Sequence, residues 1–301
     1  MTETLRKPRR GEELLLRVEE LDPSGDGLAL LGGERVRVRG ALPGARVRAR
    51  VLRRRKAEVE ARLLETLAPS PDAEPARCAH AAVCGGCAFQ ELAYGAQLAA
   101  LARTLARTLA PLLKLAPGAE VAPILPAPSA FGYRNKMDFT FGSRRFVEAH
   151  EPAGAEAGFA LGLHARGLYQ KVIDVETCHI AFEGASAIVA SVRRLARARG
   201  LLPWDLRAHT GLLRHLVLRR SEKSGEVLLN LVTSEEAPGV VPELVAALLA
   251  LHPEVATAVQ TISTRLAQVA AGERELVLHG RGYVEERLAG LSFRVSAASF
   301  F

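Results

Sequence analysis

Four cysteines are the residues whose type and spacing point most directly to chemistry. Cys78, Cys84 and Cys87 follow one another as C-x5-C-x2-C, and Cys178 lies far along the chain. Three closely spaced thiolates let one loop wrap one face of a metal centre, and a distant fourth ties a second segment to it. Gly85 and Gly86 permit the tight turn between ligands and leave N–H groups that can approach sulfur. The pattern predicts an iron–sulfur cluster of the [4Fe–4S] type on Cys78, Cys84, Cys87 and Cys178. Structural zinc is the other candidate, although it usually draws its thiolates from two C-x2-C knuckles. His80 and His179 stand beside ligand positions and could replace a thiolate in a mixed site. An even number of cysteines in a reducing compartment favours metal over disulfides.

Basic residues form a second constellation. Arg46, Arg48, Arg50, Arg53, Arg54, Arg55 and Lys56 fall within one short stretch that holds no acid. On a strand Arg46, Arg48 and Arg50 share a face and could meet successive phosphates, a contact that carries little sequence information. Tyr133, Arg134, Asn135 and Lys136 combine a stacking ring, a fork donor, an amide and a point charge. That set suits unpaired RNA, which is read by stacking and by base edges. Arg214 and His215, before a strand, are weaker candidates for the same role. The whole chain carries 40 basic and 33 acidic residues, a net charge of +7. Only six of the basic residues are lysines, a bias that a GC-rich genome also produces, so local clustering carries the argument rather than bulk charge.

The elements that must position these residues can be read from periodicity. Short strands are predicted at Glu13–Glu19, Gly27–Leu30, Arg35–Arg39, Arg46–Leu52 and Ala57–Leu64, separated by Gly, Pro and Asp turns. Five such strands suggest a small OB-like barrel. A Pro-rich linker, Pro69–Pro75, leads to Cys78. Glu91–Leu113 is predicted as a helix whose Leu98, Leu101, Leu105 and Leu109 form one apolar stripe, ended by Pro111 and Pro117. Beyond Pro128, strands are expected at Lys136–Phe141, Phe159–Leu163 and Leu168–Ile173. A helix is expected over His179–Arg199, a hairpin over Leu212–Arg219 and Val227–Thr233, a helix over Val240–Leu251, and strands within Leu276–Val295. The fold class is α+β, with a β-barrel first and a mixed α/β central domain after it. The expected divisions are a barrel at 1–68, a cluster loop at 69–90, an amphipathic helix at 91–117 and a central domain at 118–301. The start of the chain has no apolar stretch of a signal peptide, and no run approaches the roughly 18 apolar residues of a membrane span, so a cytoplasmic location is expected.

The run Cys84-Gly85-Gly86-Cys87-Ala88-Phe89-Gln90, with Tyr94 and Gln97-Leu98, resembles the cluster-binding signature of the RNA uracil-5 methyltransferases. So do Gly132-Tyr133-Arg134-Asn135-Lys136, Leu212-Leu213-Arg214-His215-Leu216 and Gly282-Tyr283-Val284-Glu285-Glu286, and then Phe293-Arg294-Val295-Ser296 followed by Ser299-Phe300-Phe301, in the family's order. The first strands resemble the TRAM domain of its ribosomal RNA branch. The resemblance implies an S-adenosylmethionine-dependent enzyme that makes 5-methyluridine and binds RNA (ribosomal RNA favoured, tRNA possible); a monomer is expected. The spacing differs from that of radical enzymes, and a fourth cysteine closes the cluster. In the family a doubly wound methyltransferase domain follows the last motif, carrying the cofactor loop, the base and the nucleophilic cysteine. This sequence stops at Phe301, so the Rossmann-like domain is expected to be absent. No catalytic or cofactor-binding residue is assigned, and the chain alone is expected to be inactive. Gly280-Arg281-Gly282 precedes an alternating, strand-like run rather than a helix, which argues against a nucleotide loop. The helix 91–117 is expected to dock on the missing domain, and Cys178 to staple the central domain to the cysteine loop. A non-catalytic RNA-binding iron–sulfur protein is the alternative.

Overall fold

The structure, a computed structural model, describes residues 8–55, 58–116 and 118–299. Lys56 of the basic run, together with Pro117, Phe300 and Phe301, lies outside the described residues. The chain divides into two units: residues 1–82 with 87–128, and residues 83–86 with 129–301.

The first unit is built on β1 (Glu13–Arg17), β2 (Glu20–Leu21), β3 (Gly27–Leu31), β4 (Glu34–Arg39), β5 (Arg46–Arg55) and β6 (Glu58–Ala68). They form one six-stranded sheet in the order β1-β5-β6-β4-β3-β2, antiparallel except between β4 and β6. Alternation explains it. Val47, Ala49 and Val51 of β5 are buried while Arg46, Arg48 and Arg50 are exposed, as period-two patterning requires. The inward set, with Leu14, Leu16, Val18, Val36, Val38 and Val59 among it, makes one apolar core.

A helix, α1 (Tyr94–Leu113), follows in the same unit. It buries its small-residue side, Ala96 and Ala100, against Leu21, Leu42, Phe89 and Leu92. Arg107 pairs with Glu20. Two alanines one turn apart let the helix approach closely. The leucine stripe predicted as its core face therefore turns outward, and Leu101, Leu105 and Leu112 are exposed.

The second unit holds a seven-stranded sheet of β7 (Lys136–Gly142), β8 (Ala160–Ala165), β9 (Leu168–Asp174), β10 (Leu213–Arg220), β11 (Val227–Thr233), β12 (Val255–Ile262) and β13 (Arg274–His279), in the order β13-β12-β11-β10-β7-β8-β9. Only β11 and β12 are parallel, joined through helix α3 (Val241–Leu251). A separate hairpin pairs β14 (Tyr283–Leu288) with β15 (Leu291–Ser296). Helix α2 (Ala185–Ala198) buries Ala185, Ile188, Val189, Val192 and Ala196, an i, i+3, i+4, i+7 stripe. It and α3 cover one sheet face, where Met137, Phe139, Phe141, Leu216, Leu218, Leu229 and Leu231 make the main core. The helix expected from His179 begins only at Ala185, because Gly132 and Arg134 pair with the backbone of residues 179–182 and Gly184 adopts a φ of 90°. In β8 only glycine fits at 162: a Cβ there would lie 2.1 Å from the Ile173 carbonyl oxygen.

These units correct the expected fold class. The barrel has six strands rather than five. The cysteine loop does not stand apart from the two domains, because Val83–Gly86 pairs with the β8 end: Gly85 N–H donates to the His164 carbonyl at 3.0 Å and Arg166 N–H to the Val83 carbonyl at 2.8 Å. The second unit rests on one mainly antiparallel sheet with helices on a single face. No helix among the described residues is long and apolar enough to cross a membrane.

Candidate nucleic-acid interface

Burial separates the predicted RNA-facing residues into three groups. Tyr133, Arg134 and Asn135 are exposed and Lys136 half-buried. They are displayed by backbone pairing on either side, since Arg134 N–H donates to the Ile180 carbonyl at 2.9 Å and Arg220 N–H to the Asn135 carbonyl at 2.8 Å. Lys136 Nζ lies 3.2 Å from Asp138 Oδ2. This segment can face a ligand.

Arg214 and His215 cannot, and their assignment to RNA is corrected. Arg214 is wholly buried. Its Nη1 donates to the Ser263 carbonyl at 3.1 Å and its Nη2 to the Ala267 carbonyl at 2.6 Å, and its guanidinium lies 4.6 Å from the Trp204 ring centre. Burial lowers its pKa, opposed by Glu273. His215 is buried beside it, with Nδ1 3.3 Å from Thr140 Oγ1. Burial, then the neighbouring Arg214 and His164, push its pKa down to about 3. A neutral imidazole and an interior guanidinium reach no phosphate. Arg214 packs against the segment at Ser263 and Ala267, and His215 lies beside Thr140 on β7.

The barrel arginines are exposed but largely partnered. Arg48 pairs with Glu65, Arg50 with Glu13 at 2.7 Å, Arg54 with Glu34 at 3.0 Å, and both Arg53 and Arg55 with Glu60. The acids come from β1, β4 and β6, which a linear reading of the run does not reveal. Among the described residues Arg46 has no ion pair.

The cysteines are shared between the units: Cys78 and Cys87 in the first, Cys84 and Cys178 in the second. Gln90 links the first two, accepting from Cys78 N–H at 2.8 Å and donating to Cys87 Sγ at 3.7 Å. Cys84 and Cys178 pack into one apolar cluster with Ala165, Ile173 and Val175, and Gly86 N–H donates to Cys84 Sγ at 3.3 Å. His179 stacks edge-on against Phe131. Among the described residues, no three His, Cys, Asp or Glu side chains are arranged to hold a metal ion. Gly280 and Gly282 sit in the turn from β13 into β14, and a strand follows, so no helix-capping nucleotide loop forms there.

One feature of the second unit escaped sequence reasoning. The hairpin face carrying Val284, Leu288, Phe293 and Val295 encloses a cavity of about 380 Å³ with Lys136, Arg219 and Arg220. Phe293 stood in a quoted motif, but only the fold brings it to Lys136.

Residues 7–64 match the TRAM domain family. The chain is 38% identical to an uncharacterized RNA methyltransferase of Chlorobaculum tepidum over 89% of its own length and 57% of the relative's. It is 32% identical to one of Caldanaerobacter subterraneus subsp. tengcongensis, over 97% and 63%. A tRNA (uracil-54, C5)-methyltransferase of Pyrococcus abyssi, solved with S-adenosyl-L-homocysteine, shares the fold at a TM-score of 0.68 and 23% identity, over 95% of this chain and 60% of that one. The expectation of an absent Rossmann-like domain, with an inactive chain as its consequence, is withdrawn: nearly all of this chain matches proteins called methyltransferases. The chain contains a TRAM domain and, spanning about three fifths of their length, is similar along nearly all of its own length to RNA methyltransferases.

Proposed function

We infer that this chain is the RNA-recognition part of an S-adenosylmethionine-dependent RNA (uracil-C5) methyltransferase, with ribosomal RNA as substrate. The observation that carries the reading is the similarity to RNA methyltransferases along 89% of the chain. The TRAM match and the displayed Tyr133–Lys136 segment support an RNA partner. Ribosomal RNA is favoured by the resemblance of the TRAM-plus-cysteine layout to that branch. The relatives are called methyltransferases, which does not favour a purely RNA-binding role. The methyl donor would supply an electrophilic methyl group to uracil C5. No side chain described here is assigned to it, and what this chain contributes is to bind and hold unpaired RNA, with the target base turned out of its stack.

The four cysteines retain the cluster reading as a proposal resting on their spacing. Cys84 and Cys178 sharing one apolar cluster, with a Gly86 N–H on the Cys84 sulfur, supports it. A cluster there would be structural, with Cys178 as its staple. Purified protein should then hold iron and labile sulfide and absorb near 400 nm, about where such clusters absorb. Protein purified anaerobically without iron would contradict it. The TRAM unit and the second unit serve as the two RNA-binding parts, in a cytoplasmic monomer.

Deleting the gene in its source organism tests the activity. Loss of 5-methyluridine at a defined ribosomal RNA position, read by mass spectrometry, is expected. Unchanged 5-methyluridine in all ribosomal and transfer RNA would refute the reading. On the barrel, Arg46→Gln should reduce the salt dependence of RNA affinity by about one counterion, while Arg53→Gln, whose charge Glu60 already holds, should change it less. Titrations at several salt concentrations measure both.

A further inference from the structure

The cavity of about 380 Å³ in the second unit is large enough for one small ligand, since ligand sites run from about 300 Å³ upward. Its walls are of two kinds. Val284 and Val295 face each other across the hairpin, and Glu286 faces Phe293, so Val284, Glu286, Leu288, Phe293 and Val295 share one hairpin face. Phe293 is 46% exposed, a ring displayed at the cavity rather than buried in a core.

The opposite wall is cationic. Lys136 and Arg219 are direct cross-strand partners on β7 and β10 and lie on one face. Arg219 is buried, and its guanidinium donates to the Ser299 carbonyl. Arg220 is fixed by its own backbone N–H on Asn135. Two carboxylates offset part of the charge on this wall, and three cations against two acids leave it net positive. Glu286 lines the cavity, but its carboxylate accepts from the backbone N–H groups of Glu222 and Arg287 at 2.7 and 2.9 Å. Asp138 lies 3.2 Å from Lys136 Nζ and also acts on the Arg219 guanidinium, whereas Arg220 has no ion pair among the described residues. Arg294 also lines the cavity and lies 4.9 Å from the Tyr283 ring centre.

An apolar slot with an aromatic ring, facing cations, suits a planar group that carries an anion. We propose that this cavity receives one unpaired RNA nucleotide. Its base stacks on Phe293 against Val284, Leu288 and Val295, and its phosphate meets Lys136 and Arg220. The neighbouring Tyr133–Asn135 segment then contacts the next nucleotide. The proposal rests on the RNA reading above and names where one nucleotide of that RNA sits.

The test uses the whole chain and a short single-stranded RNA of uridines carrying one 5-bromouridine. Irradiation should cross-link the RNA to the β14–β15 hairpin, mapped by peptide mass spectrometry. Phe293→Ala should weaken binding about tenfold, as loss of one stacked base does, while Phe293→Trp should restore it. Phe293 is half-exposed, so the alanine variant is expected to keep its circular dichroism and unfolding midpoint. Lys136→Ala should weaken binding most at low salt. If the wild-type chain binds RNA but the cross-link falls outside the hairpin and Phe293→Ala binds normally, the cavity assignment is overturned while the RNA reading stands. If the wild-type chain binds no RNA, both fall.

Discussion

Replacing Arg214 by alanine is expected to lower unfolding free energy by about 2–4 kcal/mol, the largest single-residue effect outside the apolar core. The side chain is wholly buried and does three things at once. It donates to the carbonyls of Ser263 and Ala267, and so ties the segment after β12 to β10. It also lies against the Trp204 ring at 4.6 Å, a contact worth about 2 kcal/mol when desolvated. Truncation loses both and leaves the Ser263 carbonyl without its donor, while the Ala267 carbonyl keeps the Val269 N–H. One term works the other way: the alanine chain no longer has to bury a charge, and the lowered pKa of Arg214 records that cost. Arg214→Met separates the contributions. It refills the volume and removes the charge but still leaves the Ser263 carbonyl unmet, so its loss should be smaller, about 1–2 kcal/mol. Urea denaturation gives both values. A methionine variant less stable than the alanine variant would mean that packing beside Trp204 has been misjudged.

His215 should make the second unit sensitive to acid well above the carboxylate range. Its pKa in the folded chain is about 3, against an ordinary value of 6.5, with burial the main cause. Above pH 6.5 the ring is neutral both folded and unfolded, and the depression has no effect on stability. As pH falls below 6.5 the unfolded chain takes up a proton that the folded chain refuses. Stability is lost progressively down to pH 3, where both states are protonated. Linkage puts the loss at about 2 kcal/mol between pH 7 and pH 5. Asp205, held near a pKa of about 2 by the Ala208 N–H first, then by Ser143 and Arg207, loses its contribution only at lower pH. The window from pH 6.5 to 5 therefore reports His215 together with His164, whose pKa burial also lowers. In a His215→Gln variant the unfolding midpoint should be flatter across that window. An equally steep dependence would assign the acid sensitivity elsewhere.

Much of the first unit was legible because each strand alternates. Val47, Ala49 and Val51 against Arg46, Arg48 and Arg50 specify which face of β5 is inside, whatever the neighbours. What the sequence could not supply was the neighbours. The acid-free run of arginines looked like bare positive charge, yet Glu13, Glu34, Glu60 and Glu65 reach it from strands distant in sequence. The same blindness affected β10. Leu213–Arg220 mixes cations with aliphatics, which suggested an exposed face, but both faces are covered and Arg214 and His215 are interior. On α1 the leucines signalled the apolar stripe, while the alanines that allow close approach chose the packed side. For the cavity residues the limit was different. Lys136, Arg220 and Phe293 were visible as polar or aromatic, but nothing local in a hairpin says which strand edge it will cover.

The most direct test of the account is whether this chain holds unpaired RNA. A fluorescence anisotropy titration compares a single-stranded uridine-containing RNA with the same sequence annealed into a duplex, at several salt concentrations. The single strand should bind at least about tenfold more tightly, as expected where stacking on Tyr133 and Phe293 contributes beyond phosphate contacts, and affinity should fall as salt rises. Equal affinity for the two forms, or no binding by either, would contradict it.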